Sequence, residues 1–264
     1  MDRLADDIKA HRVPRCCAAC PFIREQYFFS NRKKRHLILG GNVACNYKCL
    51  HCTNTVLFEK YRSSVYDDLN IAMDVIEKSG VLHEEATIAF SVGEFTVDKR
   101  HHAFLRKIGK YPLMLFSNGY RYSQAVADAL RQGHAELYVS VDAGTRESYL
   151  KIKGVDGFER VRENLRKYSE CGMVVLKYIM FEGINVNDTD LGNFYEFSDE
   201  VADMVVLSRD FYAEGSLSDH TLMKSAEFID RYRNAGKLSR IVGYQRTDES
   251  RRLQGYLKDL QNAK

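Results

Sequence analysis

From about residue 35 onward, short apolar runs rich in β-branched residues alternate with stretches of helical periodicity, and this alternation constrains the fold more than any other feature of the chain. The expected strands are residues 36–42, 86–92, 113–117, 136–141, 174–180 and 204–208. They are nearly continuous in apolar residues, as parallel strands covered on both faces must be. Helices are expected at about 67–79, 99–109, 123–131, 158–168, 190–199 and 221–234. In the clearest of these, Phe158, Val161, Leu165 and Tyr168 recur every three or four residues, with Arg160, Arg162, Glu163 and Arg166 between them. Six β-then-α units in series predict a right-handed parallel α/β sheet. The sequence divides into an irregular N-terminal extension at 1–34, an α/β core at 35–215 and a helical tail at 216–264 packing on that core.

Charge names no partner. The 39 Lys and Arg against 36 Asp and Glu give a formal charge of only +3 with mixed signs, so a nucleic-acid binder is not expected. No window reaches the roughly 18 uninterrupted apolar residues of a membrane span, and the opening Met-Asp-Arg-Leu-Ala-Asp-Asp lacks the order of a secretory signal. A cytoplasmic protein is the expectation. Cysteine is distributed more tellingly: six of seven fall between residues 16 and 52, which in a reducing compartment argues for metal ligation or catalysis over disulfides.

Cys45, Cys49 and Cys52 follow the first strand in the order C-x3-C-x2-C. Loops at the carboxyl ends of parallel strands are where such folds bind ligands. A closed structural zinc site needs four ligands, whereas an iron–sulfur cluster on three thiolates keeps one iron open for something else. His51 adjoins Cys52 and cannot easily reach the same ion as its neighbour. A non-catalytic zinc or iron–sulfur module is the reading from another class.

This spacing after a first strand resembles the signature of the radical S-adenosylmethionine superfamily. Further segments resemble that family in order along the chain: Ser91-Val92-Gly93-Glu94, Ser117-Asn118-Gly119, Tyr138 through Thr145 followed by Tyr149-x-Lys151-Ile152-x-Gly154, and Lys177 through Met180 followed by Gly183-Ile184-Asn185. The resemblance implies a partial (β/α)6 TIM-like barrel. It also implies a [4Fe–4S] cluster on Cys45, Cys49 and Cys52, and S-adenosylmethionine as cofactor, cleaved reductively to a 5′-deoxyadenosyl radical that abstracts hydrogen from a peptide or small-molecule substrate. His51, Gly93, Glu94, Asn118, Ser140, Asp142 and Ile184 are the implied cofactor contacts, and a flavodoxin or ferredoxin the implied electron donor. Val92 stands where the family has its first glycine. A glycyl-radical-enzyme activating enzyme is the alternative within the family.

Each assignment has a plainer rival. Glu94 could be a solvated loop carboxylate, and Asn118-Gly119 an ordinary turn. His101 and His102, flanked by Lys99 and Arg100, are expected at the solvated surface. Lys177, inside an apolar strand, either snorkels or faces inward near cofactor or substrate. Arg209, Asp210 and Tyr212 are candidate substrate contacts. Cys16, Cys17 and Cys20 are either spare thiols or ligands of an auxiliary cluster or second metal, with no fourth ligand identified. Cys171 is expected to be structural, at the rim opposite the catalytic end.

Overall fold

The computed structural model describes residues 33–39, 45–52, 66–91, 93–244 and 246–263. Cys16, Cys17 and Cys20 lie outside them. Seven parallel strands pair in strict sequence order as a curled half-barrel. They are β1 (Lys34–Leu39), β2 (Leu82–Phe90), β3 (Leu113–Ser117), β4 (Ala135–Ser140), β5 (Val174–Met180), β6 (Met204–Arg209) and β7 (Leu238–Val242). Strands β3 and β5 keep their expected bounds, and β2, β4 and β6 differ by a few residues.

Eight helices are described: α1 (Tyr66–Lys78), α2 (Arg100–Ile108), α3 (Gln124–Arg131), α4 (Arg146–Lys153), α5 (Phe158–Ser169), α6 (Asp188–Val201), α7 (Asp219–Asn234) and α8 (Thr247–Asn262). Sequence periodicity missed α4, whose eight residues show only two helical turns. The segment 216–264 holds α7 and α8 but is not purely helical. It also supplies β7, which pairs with β6 from Val205↔Leu238 to Ser208↔Val242. With only five residues, two of them polar, β7 carries too little apolar signal to read as a strand.

The side chains of β3 and β4 alternate between fully buried and half-buried. Leu113, Leu115, Leu137 and Val139 pack beneath the helices, while Met114, Phe116, Tyr138 and Ser140 line the concave side. Strand β5 is buried along its length except at Lys177. The buried stripe of α5 is Phe158, Val161, Leu165 and Tyr168, as its spacing requires. His101 departs from expectation: it is fully buried, stands edge-on to Phe90 at 5.7 Å, and its Nδ1 lies 3.0 Å from the Phe95 carbonyl oxygen. The charged neighbours of His101 point elsewhere on α2, which a linear reading does not resolve. Cys171 is buried and its thiol donates to the Lys167 carbonyl, a structural setting as expected.

Candidate functional site

The cysteine loop is docked by the end of α4. A helix leaves its last four carbonyls without intrahelical partners. Here the Lys48 amide donates to the Lys153 carbonyl at 3.2 Å and the Leu50 amide to the Ile152 carbonyl at 2.8 Å. Gly154 ends α4 at φ +67°, the left-handed conformation that favours glycine. A Cβ at Gly154 would lie 2.7 Å from the Lys48 carbonyl oxygen. Tyr47 anchors the same loop from within, its hydroxyl 2.7 Å from that of Tyr149 and its ring edge-on to Tyr120. Asn118, after β3, donates to Asn46 Oδ1 at 2.9 Å and lies 3.8 Å from Cys45 Sγ.

The loop so held borders a cavity of about 450 Å3 at the carboxyl ends of the strands. Cys45, Cys49 and Cys52 share its wall with His51, Gly93, Asn118 and Ser140, together with Lys153 and Lys177. Burial raises the Cys45 thiol above its ordinary range and pushes Cys49 up to about 11, with the Lys153 ammonium opposing the shift at Cys49. Thiols so placed are protonated when nothing is bound, and ligation releases their protons. The His51 ring lies 5.2 Å from Phe181, its Nδ1 is buried with no partner among the described residues, and burial lowers its pKa. Among the described residues no three His, Cys, Asp or Glu side chains gather around one point as ligands of a single metal ion. The three thiols border a cavity; with the other described residues they do not close a zinc site.

Three of the expected contacts do not line this cavity. Glu94 is 1 % exposed, so it is no solvated loop carboxylate. Its oxygens accept from the Thr96 amide and hydroxyl, the Ser117 hydroxyl and, at 2.6 Å, the Asn118 amide. Burial raises the Glu94 pKa against those four donors. Its side chain ties the end of β2 to the end of β3 and fixes Asn118 where Asn118 meets the cysteine loop.

Asp142 is fully buried at φ +57°, paired with Lys153 at 2.5 Å and accepting from the Ile179 amide at 2.8 Å. The non-glycine left-handed backbone at Asp142 is held by Asn185, whose Nδ2 donates to the Asp142 and Ile179 carbonyls. Ile184 packs against the core in the loop after β5. Lys153 is the site residue that sequence reasoning passed over. Its position at the end of an unrecognised helix was the only available signal.

Other motif residues prove architectural. Thr145 caps α4 through the Ser148 amide, and the Asp190 carboxylate accepts from the Gly144 and Thr145 amides and the Ser148 hydroxyl. A Cβ at Gly144 would fall 1.8 Å from the Asp190 carbonyl oxygen, so only glycine allows α6 to approach this turn.

Beyond His51 and Lys177, a second cavity of about 230 Å3 is bordered by Asp210, Phe211 and Tyr212. Arg209, on the same wall, is 5 % exposed and its guanidinium is committed to Glu249 and to the Asp210 and Gly215 carbonyls. That removes its charge from the set of free substrate contacts.

A family model described as the Radical SAM superfamily matches residues 42–198. The GTP 3′,8-cyclase of Pasteurella multocida is 25% identical over 167 residues, covering 62% of this chain and 49% of that enzyme. A probable GTP 3′,8-cyclase of Saccharolobus solfataricus is 26% identical over 138 residues, covering 51% and 43%. The chain therefore spans about half the length of these curated relatives. Among solved structures, Streptococcus suis SuiB bound to S-adenosylmethionine superposes with a TM-score of 0.61 at 11% identity, over 91% of this chain and 60% of that one. Native anSMEcpe with bound AdoMet gives 0.52 at 15%, over 78% and 63%. At these identities the superpositions speak to the fold alone.

Proposed function

The chain belongs to the radical SAM superfamily, a family of enzymes, and from that premise we propose that Cys45, Cys49 and Cys52 hold a [4Fe–4S] cluster with S-adenosylmethionine in the cavity beside it. The observation that carries this reading is the docked loop, which brings three thiols to the wall of one 450 Å3 cavity, within the size range of small-molecule sites. When bound and reduced by one electron, this pair supplies cleavage of the cofactor to methionine and a 5′-deoxyadenosyl radical that takes hydrogen from the substrate.

The chain's own residues bind and orient. Gly93, Asn118 and Ser140 offer backbone and polar groups on the cavity wall. The ring of His51, backed by Phe181, offers an aromatic surface and one nitrogen that has no partner among the described residues. Glu94 and Asp142 act from behind the wall, Glu94 by fixing Asn118 and Asp142 by fixing Lys153. Ile184 remains a candidate adenine contact only if its loop turns toward the cavity on binding. A small one-electron carrier of the flavodoxin or ferredoxin type is the proposed donor. The GTP 3′,8-cyclase activity of the relatives is not carried over, because much of their length has no counterpart here.

Anaerobic reconstitution with iron and sulfide tests the reading. The wild-type chain is expected to take up at least one cubane per chain, absorb in the thiolate-to-iron region, and release 5′-deoxyadenosine under strong reductant. Cys49→Ala is expected to abolish that release, and its persistence would refute the assignment. Iron counted with Cys16, Cys17 and Cys20 replaced decides whether those three hold an auxiliary cluster.

A further inference from the structure

Four basic side chains border the cavities of the concave face, and two are neutralised inside the fold. Lys153 is paired with Asp142, and Arg209 with Glu249. Lys177 of β5 and Arg240 of β7 donate no hydrogen bond or ion pair to any other described residue. They border one cavity of about 130 Å3 with Phe116, Tyr138 and Ser140.

The register fixes their spacing. Ser140 pairs with Lys177, Lys177 with Val206 and Val206 with Arg240, so one row crosses four strands. Two strand spacings separate the Cα atoms of Lys177 and Arg240 by roughly 10 Å, which two long side chains on the same face can close around one group. Arg240 sits near enough to Tyr138 to oppose the burial that pushes the Tyr138 hydroxyl up to about 12. Phe116, Ser140 and Lys177 also border the thiol-lined cavity, and Lys177 borders the second cavity, beside Asp210, Phe211 and Tyr212, as well. Lys177 is thus the side chain that all three share.

The carboxylates on this side, Glu136 and Asp210, keep their charge, but among the described residues neither forms an ion pair with Lys177 or Arg240. Glu136 accepts from the Tyr138 hydroxyl at 2.8 Å, and Asp210 accepts from the Tyr212 amide at 2.9 Å. Two cations facing one pocket repel each other until an anion lies between them, and a pocket of this volume takes one small charged group.

Resting on the radical reading above, we propose that the substrate is anionic and that its phosphate or carboxylate group is held between Lys177 and Arg240. Anchored there, the substrate extends past Ser140 toward the thiol-lined cavity, so the carbon that loses hydrogen lies a few bonds from the anion. Lys177 and Arg240 then act as specificity residues at the floor of the half-barrel.

Calorimetric titration of the full chain with inorganic phosphate and, separately, acetate, in chloride buffer without S-adenosylmethionine, tests this. One anion is expected to bind saturably, phosphate if the substrate is phosphorylated and acetate if it is a carboxylic acid. Lys177→Met and Arg240→Met are each expected to weaken it roughly tenfold or more, with Lys177→Arg restoring most of the affinity. Three results would overturn the proposal: neither anion binding above the chloride background, both methionine variants binding as tightly as wild type, or saturating S-adenosylmethionine displacing the anion, which would give Lys177 to the cofactor's carboxylate. Wild-type 5′-deoxyadenosine release decides the radical reading separately, so either can fail while the other stands.

Discussion

His101 shows what a single buried titratable group does to this fold. Its ring is fully buried with Nδ1 against the Phe95 carbonyl, and burial lowers its pKa. In the unfolded chain the ring returns to about 6.5. Below that pH the unfolded state takes up a proton that the folded state refuses. The stability contribution is therefore complete above about pH 6.5 and is lost as pH falls toward the folded value, with a slope of at most about 1.4 kcal/mol per pH unit. Thermal melts from pH 7.5 to 5 are expected to show Tm falling, and His101→Gln, which can still donate to Phe95, is expected to fall less steeply. His102 and His51 carry lowered pKa values too, so the slope should shrink without vanishing. Equal slopes in both proteins would remove His101 from this role. Residues such as these were the least legible in the sequence. Cys45, Cys49 and Cys52 could be read because their spacing is local. The burial of His101 and the pairing of Lys153 with Asp142 are set by residues distant along the chain, and spacing records neither.

The decisive element is α4, which carries the cysteine loop on its last carbonyls. Gly154 is the hinge of that arrangement, combining a left-handed backbone with close approach to the Lys48 carbonyl. Gly154→Ala adds a left-handed penalty of about 1–2 kcal/mol, and its Cβ would also push Lys48 away. The expected outcome is a lowered urea midpoint together with reduced iron retention on reconstitution. Gly80 is the matched control, being left-handed at φ +66° with open space around it. Gly80→Ala should lose comparable backbone stability yet keep its iron, and loss of iron in both would dissociate the effect from the loop. Long strands were legible because apolar runs and parallel pairing impose one another. Helix α4 and strand β7 were not, since two turns of helix and five mixed residues carry too few apolar positions to set a period.

At the scale of the molecule, β7 and α8 extend the sheet beyond the six strands that periodicity predicts, and one buried ion pair fastens them. Glu249 at the start of α8 is fully buried, meets Arg209 of β6 through both carboxylate oxygens at 3.0 Å, and accepts from the Leu217 amide at 2.8 Å. Arg209 in turn holds the Asp210 and Gly215 carbonyls, so the loop bordering the second cavity takes its shape from a helix some forty residues downstream. Glu249→Gln leaves the guanidinium buried without its counter-charge, which costs about 3–5 kcal/mol when one partner of such a pair is removed. Replacing both partners with apolar residues, as in Arg209→Met with Glu249→Leu, avoids the stranded charge and is expected to recover much of that loss. Urea unfolding of the three proteins measures the difference. Because the pair lies on the β6–β7 side and the cysteine loop is docked by α4, Glu249→Gln should lower stability and disturb anion binding near Arg240 before it affects iron uptake at Cys45, Cys49 and Cys52. A Glu249→Gln protein as stable as wild type would mean that water or a neighbouring group satisfies Arg209, and that the seventh strand is held by its backbone ladder and apolar packing alone.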